Sequence, residues 1–186
     1  MTEARPAGDV LSHFWAPLCA VGASGPAGPN AQICVSVFGA SIVPERPRLL
    51  VSLSKTNYTE GLARESGRLA VTLLSDAQAD LLEPLGLRSG RDGDKLAGLD
   101  VELAASGSPT FPGGVGALDC EVLEAHDLGD ATAFLVAVRE RWGLGGEQPL
   151  PWSVAKTVVG EAFLQAWAEK SAREQEAARS VMHWRD

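Results

Sequence analysis

The 186-residue sequence is poor in several residue types that announce particular chemistries. It has three histidines and three cysteines. None of the histidines forms an H-E-x-x-H or H-x-x-x-H pair, and no two cysteines form C-x-x-C, so no metal-ligand set is present. An odd number of widely spaced thiols (Cys19, Cys34, Cys120) fits a reducing cytosol better than a secreted disulfide framework. Cys34 and Cys120 lie in apolar stretches and read as small buried hydrophobes. No apolar run approaches the roughly 20 residues needed to cross a bilayer. Met1–Val10 carries Glu3, Arg5 and Asp9 and no hydrophobic signal core, so it reads as a frayed cytoplasmic start. Walker A, G-x-G-x-x-G and G-x-S-x-G patterns are absent. The glycines at 143, 145 and 146 read as a flexible loop. Basic residues are outnumbered 16 to 24, and a net charge of −8 makes a nucleic-acid partner an unfavourable expectation.

What is present is a globular composition, 45% apolar and 22% charged, punctuated by 20 glycines and 11 prolines. The length suits one domain with a core. Strand patterns fall at Leu18–Ala23, Ala31–Phe38, Leu49–Leu53, Leu69–Leu74, Cys120–Leu123 and Ala133–Val138. Turns are predicted at Gly25–Asn30 and at Asp127–Asp130. No helix separates successive strands regularly, which predicts an antiparallel barrel or sandwich. Asn57 with Glu60 predicts a short helix to about Ser66, and the Ser75/Gln78 capping box predicts another ending near Gly86. From Ser153 onward, Ala155, Val159, Phe163, Ala166 and Trp167 form a helical stripe, predicting one helix of about 25 to 30 residues. That stripe reads as packing. The charged end, Lys170 to Arg179, reads as a solvated face tolerant of substitution. Residues 153–186 hold five basic and five acidic residues, so the whole net charge lies in residues 1–152.

One stretch departs from the acidic average. Around Ser36, Ser52, Ser54, Thr56, Asn57 and Thr59 stand Arg46, Arg48 and Lys55, with Glu45 as the only acid up to Tyr58. Hydroxyls, amides and a nearby cation suit a phosphate, and a helix opening near Asn57–Thr59 would add an anion-friendly terminus. The alternative is a cap-rich turn with surface cations.

Six segments in order resemble the flavin reductase-like family. Val35-Ser36-Val37-Phe38 is similar to the end of that family's P-N-G-M-T-V-S-S-F strand. Pro47-Arg48-Leu49-Leu50-Val51-Ser52-Leu53 is similar to P-P-L-V-L-V-S-L, and Ser54-Lys55-Thr56-Asn57-Tyr58-Thr59 to S-K-x-x-x-T. Leu69-Ala70-Val71-Thr72-Leu73-Leu74-Ser75, Gly93-Asp94-Lys95-Leu96-Ala97-Gly98 and Gly129-Asp130-Ala131-Thr132 follow, the last similar to G-D-H-T. The resemblance covers roughly residues 14–140. It implies a Greek-key barrel, so with the helices read above the expected fold is a mainly β, antiparallel Greek-key split barrel with peripheral helices and a long C-terminal helix. It also implies a homodimer with a flavin near the subunit interface, in the cytoplasmic setting that the cysteines and N-terminus suggest. The expected organisation is a barrel domain over 1–142, then a linker and helix over 143–186 packed on the same domain or the dimer partner.

By the same resemblance Ser36 and Val37 answer the serines of the first strand. Ser52, Leu53 and Ser54 run along the flavin ring, and Tyr58 and Thr59 reach the phosphate. Lys55 is added as an electrostatic candidate. Gly129, Asp130, Ala131 and Thr132 answer a nicotinamide-binding turn. No catalytic residue is assigned. The departures are Ile33, Cys34 and Val37 for Met, Thr and Ser, one extra residue between Phe38 and Pro47, and Ala131 for the turn histidine. His126, three residues before Gly129, reads as a surface residue.

The leading expectation is therefore an FMN-binding (or FAD-binding) oxidoreductase that passes electrons from NAD(P)H to flavin. A flavin-binding module without efficient turnover is the second reading, favoured by Ala131. An unrelated barrel with an interaction role is the third.

Overall fold

A computed structural model describes residues 13–143 and 147–184. The expectations for the N-terminal ten residues and the glycine-rich loop at 144–146 therefore lie outside the described residues. One seven-stranded antiparallel sheet dominates, in the order β2-β1-β5-β8-β9-β4-β3. Its strands are β1 (Cys19–Gly25), β2 (Gly28–Cys34), β3 (Val37–Gly39), β4 (Arg48–Ser54), β5 (Arg68–Leu73), β8 (Gly116–Asp127) and β9 (Ala131–Gly143). A small pair, β6 (Glu102–Leu103) and β7 (Pro109–Thr110), lies apart.

The two edge strands of the sheet, β2 and β3, are neighbours in the chain. The predicted strand Ala31–Phe38 instead bends at Val35-Ser36, so its first half pairs with β1 and its second with β4. The Ser52 N–H donates to the Ser36 carbonyl (3.0 Å) at the bend. One bent segment thus supplies both edges of the sheet, which curls into a half-barrel.

Alternation along β4 shows how the barrel fills. Val51 and Leu53 point inward and are fully buried, while Leu50, Ser52 and Ser54 point outward. Inside lie Val21, Leu69, Val71, Phe134 and Val136. Helix α1 (Tyr58–Ser66) adds Leu62 and Ala63 to that core. A second core forms outside the barrel, where Leu18, Leu74, Leu82, Leu85, Phe111, Leu150 and Phe163 meet. Ile33 and Val35 pack against it, so β2 is covered on both faces. The Ser75/Gln78 turn forms as predicted, with the Ser75 N–H donating to Gln78 Oε1 (3.2 Å). It opens a 3-10 turn (Asp76–Leu81) that runs into α2 (Leu82–Leu87).

The C-terminal stretch corrects an expectation. It is two helices, α3 (Trp152–Val158) and α4 (Glu161–Arg179), separated at Gly160. The Gly160 φ of +78° lies in the left-handed region and ends the first helix. The predicted stripe survives the break. Ala155 and Phe163 are buried, and Trp167 stacks on Trp152 and Phe163 at centroid distances of 5.4 and 5.6 Å. No helix among the described residues is long and apolar enough to cross a membrane.

All three cysteines are free and buried. Burial raises every thiol pKa above the usual 9.0, Cys34 to about 11 and Cys120 to about 12. The folded state then keeps protons that the unfolded state loses. The stabilisation is complete below pH 9 and is lost as pH rises toward the folded values. Lys95, pushed down to about 8 chiefly by burial, works in the opposite sense but is one group against three. Chemical denaturation is expected to show the unfolding midpoint falling between pH 9 and 11, and Cys34→Ala should flatten that slope.

Candidate functional site

The outer face of the barrel carries a line of hydroxyls. Ser52 and Ser54 point outward on β4, and Ser36 sits at the bend beside them, all half-buried. Cys34, in place of the family threonine, is inside the barrel core, and its thiol donates to the Ser52 carbonyl (3.5 Å). Leu53 is 1% exposed, so only its backbone is available to a ligand. Val37 is half-buried and packs toward the barrel core.

From Ser54 the line continues by a hydroxyl contact to Thr56 (2.9 Å) and enters α1. Asn57 holds the N-cap position with extended backbone, but its side chain does not cap the helix, leaving the first-turn N–H groups without a side-chain acceptor. Glu60, expected to complete that cap, turns to the far side. Its Oε1 accepts from Thr132 Oγ1 (2.6 Å) and pairs with Arg64 (3.3 Å). Thr59 is fully buried and accepts from Asn30 Nδ2 (2.7 Å).

Thr56–Thr59 forms one wall of a cavity of about 180 Å³. Asn30 and Gln32 of β2 form a second wall, and Arg88, Ser89, Gly90 and Lys95 a third. Residues of α4 close the remainder. Gln32 is 7% exposed, and its Oε1 has no hydrogen-bond partner. An unmet buried acceptor is costly unless something occupies the cavity. Lys95 donates to the carbonyls of Leu85 and Arg88 (both 3.1 Å), leaving one ammonium hydrogen uncommitted. Arg91 donates to the Thr56 carbonyl (2.8 Å), and its guanidinium lies 5.4 Å from the Tyr58 ring centroid.

The cation singled out in the sequence is engaged elsewhere. Lys55 Nζ pairs with Asp127 (2.5 Å), which also accepts from the Gly129 N–H (2.6 Å). The Lys55 hydrogen bond, and then that of Gly129, hold the Asp127 carboxyl below its usual range. The cations brought to the Thr56–Thr59 loop are Arg88, Arg91 and Lys95. In the sequence these cations lie in the run Arg88–Lys95, of which the family resemblance marks only Gly93-Asp94-Lys95.

The turn Gly129–Thr132 stands directly beside this loop, because the Lys55 N–H donates to the Asp130 carbonyl (2.9 Å). The Thr132 hydroxyl is committed to buried Glu60, and Gly129 is buried. Ala131 is half-buried and offers only a methyl group. His126 is exposed and paired with Glu124 at 3.0 Å.

A curled antiparallel half-barrel with a polar, cation-lined cavity at the start of its first helix defines a class of ligand-binding barrel. The family model for the flavin reductase like domain matches residues 11–156. The flavin reductase of Pseudomonas putida is 30% identical over 132 residues, 70% of this chain and 75% of that protein. The FMN reductase (NADH) SmoA of Agrobacterium fabrum is 31% identical over 127 residues, 68% of this chain and 70% of that protein. The chain spans a smaller share, 63%, of the monooxygenase reductase subunit HsaB of Mycobacterium tuberculosis, at 29% identity over 66% of its own length. Among solved structures, the FMN-binding protein of Thermus thermophilus with bound p-hydroxybenzaldehyde superimposes with a TM-score of 0.65. It is 29% identical, covering 77% of this chain and 82% of that one. The chain belongs to the flavin reductase-like domain family.

Proposed function

We propose that the protein binds FMN and acts as a flavin reductase-like oxidoreductase, passing electrons from NAD(P)H to flavin. The observation that carries this reading is the cavity beside Thr56–Thr59, inside a chain of this family. Its walls suit a ribityl phosphate. The uncapped start of α1, Lys95 and Arg88 favour an anion, and the unmet Gln32 oxygen can accept from a sugar-alcohol hydroxyl. Gly90 lets the loop after α2 pack tightly against this wall, since a Cβ built there would collide with Asn30 Oδ1 and lie 2.8 Å from Tyr58 Cδ1.

Bound flavin would supply the redox chemistry, accepting a hydride and passing electrons on. The chain's part is binding and orientation. Ser36, Ser52 and Ser54 would offer hydroxyls along the ring, with Val37 and Leu53 contributing backbone atoms. Tyr58 and Thr59 would anchor the phosphate end. Lys55 would act on the ligand only through the general field, because it does not line the cavity and its ammonium is held by Asp127. Gly129, Asp130, Ala131 and Thr132 would form the wall on the nicotinamide side, shaped by backbone rather than by a side-chain donor. Ser36→Ala and Thr59→Ala are each expected to weaken FMN binding by roughly 0.5–1.5 kcal/mol, the size of one neutral hydrogen bond. Flavin-fluorescence titration measures both.

We place a homodimer interface on the outer face of the barrel. Phe38 pairs across strands with Leu50, and Leu50 with Leu135, forming an apolar row beside Ser36 and Ser52. Phe38 is 44% and Leu50 37% exposed. Light scattering should give a dimer mass for the native chain and a monomer mass for Leu50→Arg. Three buried thiols fit a reducing, cytoplasmic compartment.

The test is steady-state oxidation of NADH and of NADPH with added FMN or FAD. Turnover with either dinucleotide supports the oxidoreductase. Tight FMN binding without turnover selects the binding module favoured by Ala131.

A further inference from the structure

Helix α4 begins at Glu161, beyond the 11–156 stretch matched by the family. It is firmly docked at both ends. Near its start the Trp167 ring sits against α2, so close to Gly86 that a Cβ there would lie 2.5 Å from Trp167 Cζ3. Past its end the His183 N–H donates to the Leu128 carbonyl (3.2 Å). A Cβ at Gly129, where φ is +91°, would overlap the Val181 carbonyl oxygen.

Between these anchors the inward face of α4 changes character. It presents Phe163 and Trp167 to the second core, then Lys170, Ser171 and Glu174 at the same helical spacing. Those three polar residues line the same cavity as Thr56–Thr59. A helix held only by packing would continue its stripe with apolar or small residues. The Lys170 side chain is 26% exposed and bonded to Glu174, its i+4 neighbour, which keeps the ammonium balanced at the cavity wall.

We propose that α4 is part of the flavin site and that Lys170 is its phosphate ligand, meeting the phosphate from the α4 wall of the cavity. The helix would thereby hold FMN as a resident group instead of leaving one side of the phosphate open to solvent. The inference rests on the FMN reading of the cavity. It also revises the sequence expectation that Lys170 lies on a solvated, tolerant face.

The experiment titrates the full-length chain and its Lys170→Ala, Lys170→Arg and Glu174→Gln variants with FMN and with riboflavin, which has no phosphate. Lys170→Ala is expected to weaken FMN binding about tenfold and speed its release, with riboflavin binding unchanged, as for loss of one charge-assisted contact. Lys170→Arg should recover most of the loss. Glu174→Gln should tighten FMN by about twofold by removing a competing carboxylate. Unchanged circular dichroism and melting temperature for Lys170→Ala would exclude a folding effect, since alanine suits a helix interior. Equal FMN affinity and release in Lys170→Ala and the native chain would overturn the role of α4 while leaving the FMN site intact. Equal loss of FMN and riboflavin would overturn it too. A native chain that binds FMN no better than riboflavin would overturn both the phosphate site and this inference.

Discussion

Gly90→Val is expected to reduce FMN affinity by tenfold or more while leaving the fold standing. Gly90 lies in the loop between α2 and Lys95, half-buried against the cavity. A side chain there runs into Asn30 Oδ1 and the Tyr58 ring. Asn30 can escape only by giving up its bond to Thr59, at a cost of about 1 kcal/mol, and the valine methyls then occupy space meant for the ligand. The loop itself carries few core contacts, so the melting temperature should shift by only a few degrees, on the order of 1 kcal/mol. Flavin-fluorescence titration beside a thermal melt checks both parts. A Gly90→Val chain that binds FMN like the native one would show that this cavity is not where the phosphate sits.

Glu60→Ala should produce the largest loss of stability among the site residues, about 2–3 kcal/mol. The Glu60 side chain is 3% exposed, and its carboxylate joins two parts of the site. It accepts from Thr132 at the start of β9 while standing in the first turn of α1. Removing it leaves a buried threonine hydroxyl without its acceptor and opens a void beside it. Arg64, which is largely exposed, simply returns to water. Glu60→Gln keeps an acceptor for Thr132 and should cost less than half as much. Urea denaturation of the two variants separates them. Equal losses would mean that charge, not the Thr132 bond, sets the contribution. FMN affinity should fall with Glu60→Ala as well, because α1 and the Gly129–Thr132 turn would lose their common brace.

Strands with a clean alternation or a continuous apolar run were legible in the sequence, and β4 and β5 lie where their patterns put them. The long arms of β8 and β9 extend beyond the apolar patterns at Cys120–Leu123 and Ala133–Val138. Their ends carry Glu124, His126 and Arg141, exposed residues paired in register with Leu135, Ala133 and Leu118, and Arg139 falls at a register shift. The bend at Val35-Ser36 has neither glycine nor proline to announce it. It arises because one segment must serve both edges of the sheet. Gly160 did announce a helix end, but the stripe through Ala155, Val159 and Phe163 keeps its spacing across it and reads as one helix.

The site divides in the same way. The hydroxyls and the Thr56–Thr59 loop are contiguous in sequence and could be picked out as a cationic, phosphate-compatible stretch. Lys55 is held by Asp127, a partner 72 residues away that no local pattern announces. Gln32, Lys95 and Lys170 carry no local signal for a common cavity. Only the packing of β2, the loop after α2, and α4 brings them together.

The account's central claim is that the cavity beside Thr56–Thr59 is built for a phosphate. The most direct test is calorimetric titration of the native chain with FMN and with riboflavin under identical conditions. Phosphate recognition by several charge-assisted bonds predicts that FMN binds roughly 100-fold more tightly, or better. Equal affinity for the two, or no binding of either at micromolar concentrations, would contradict it.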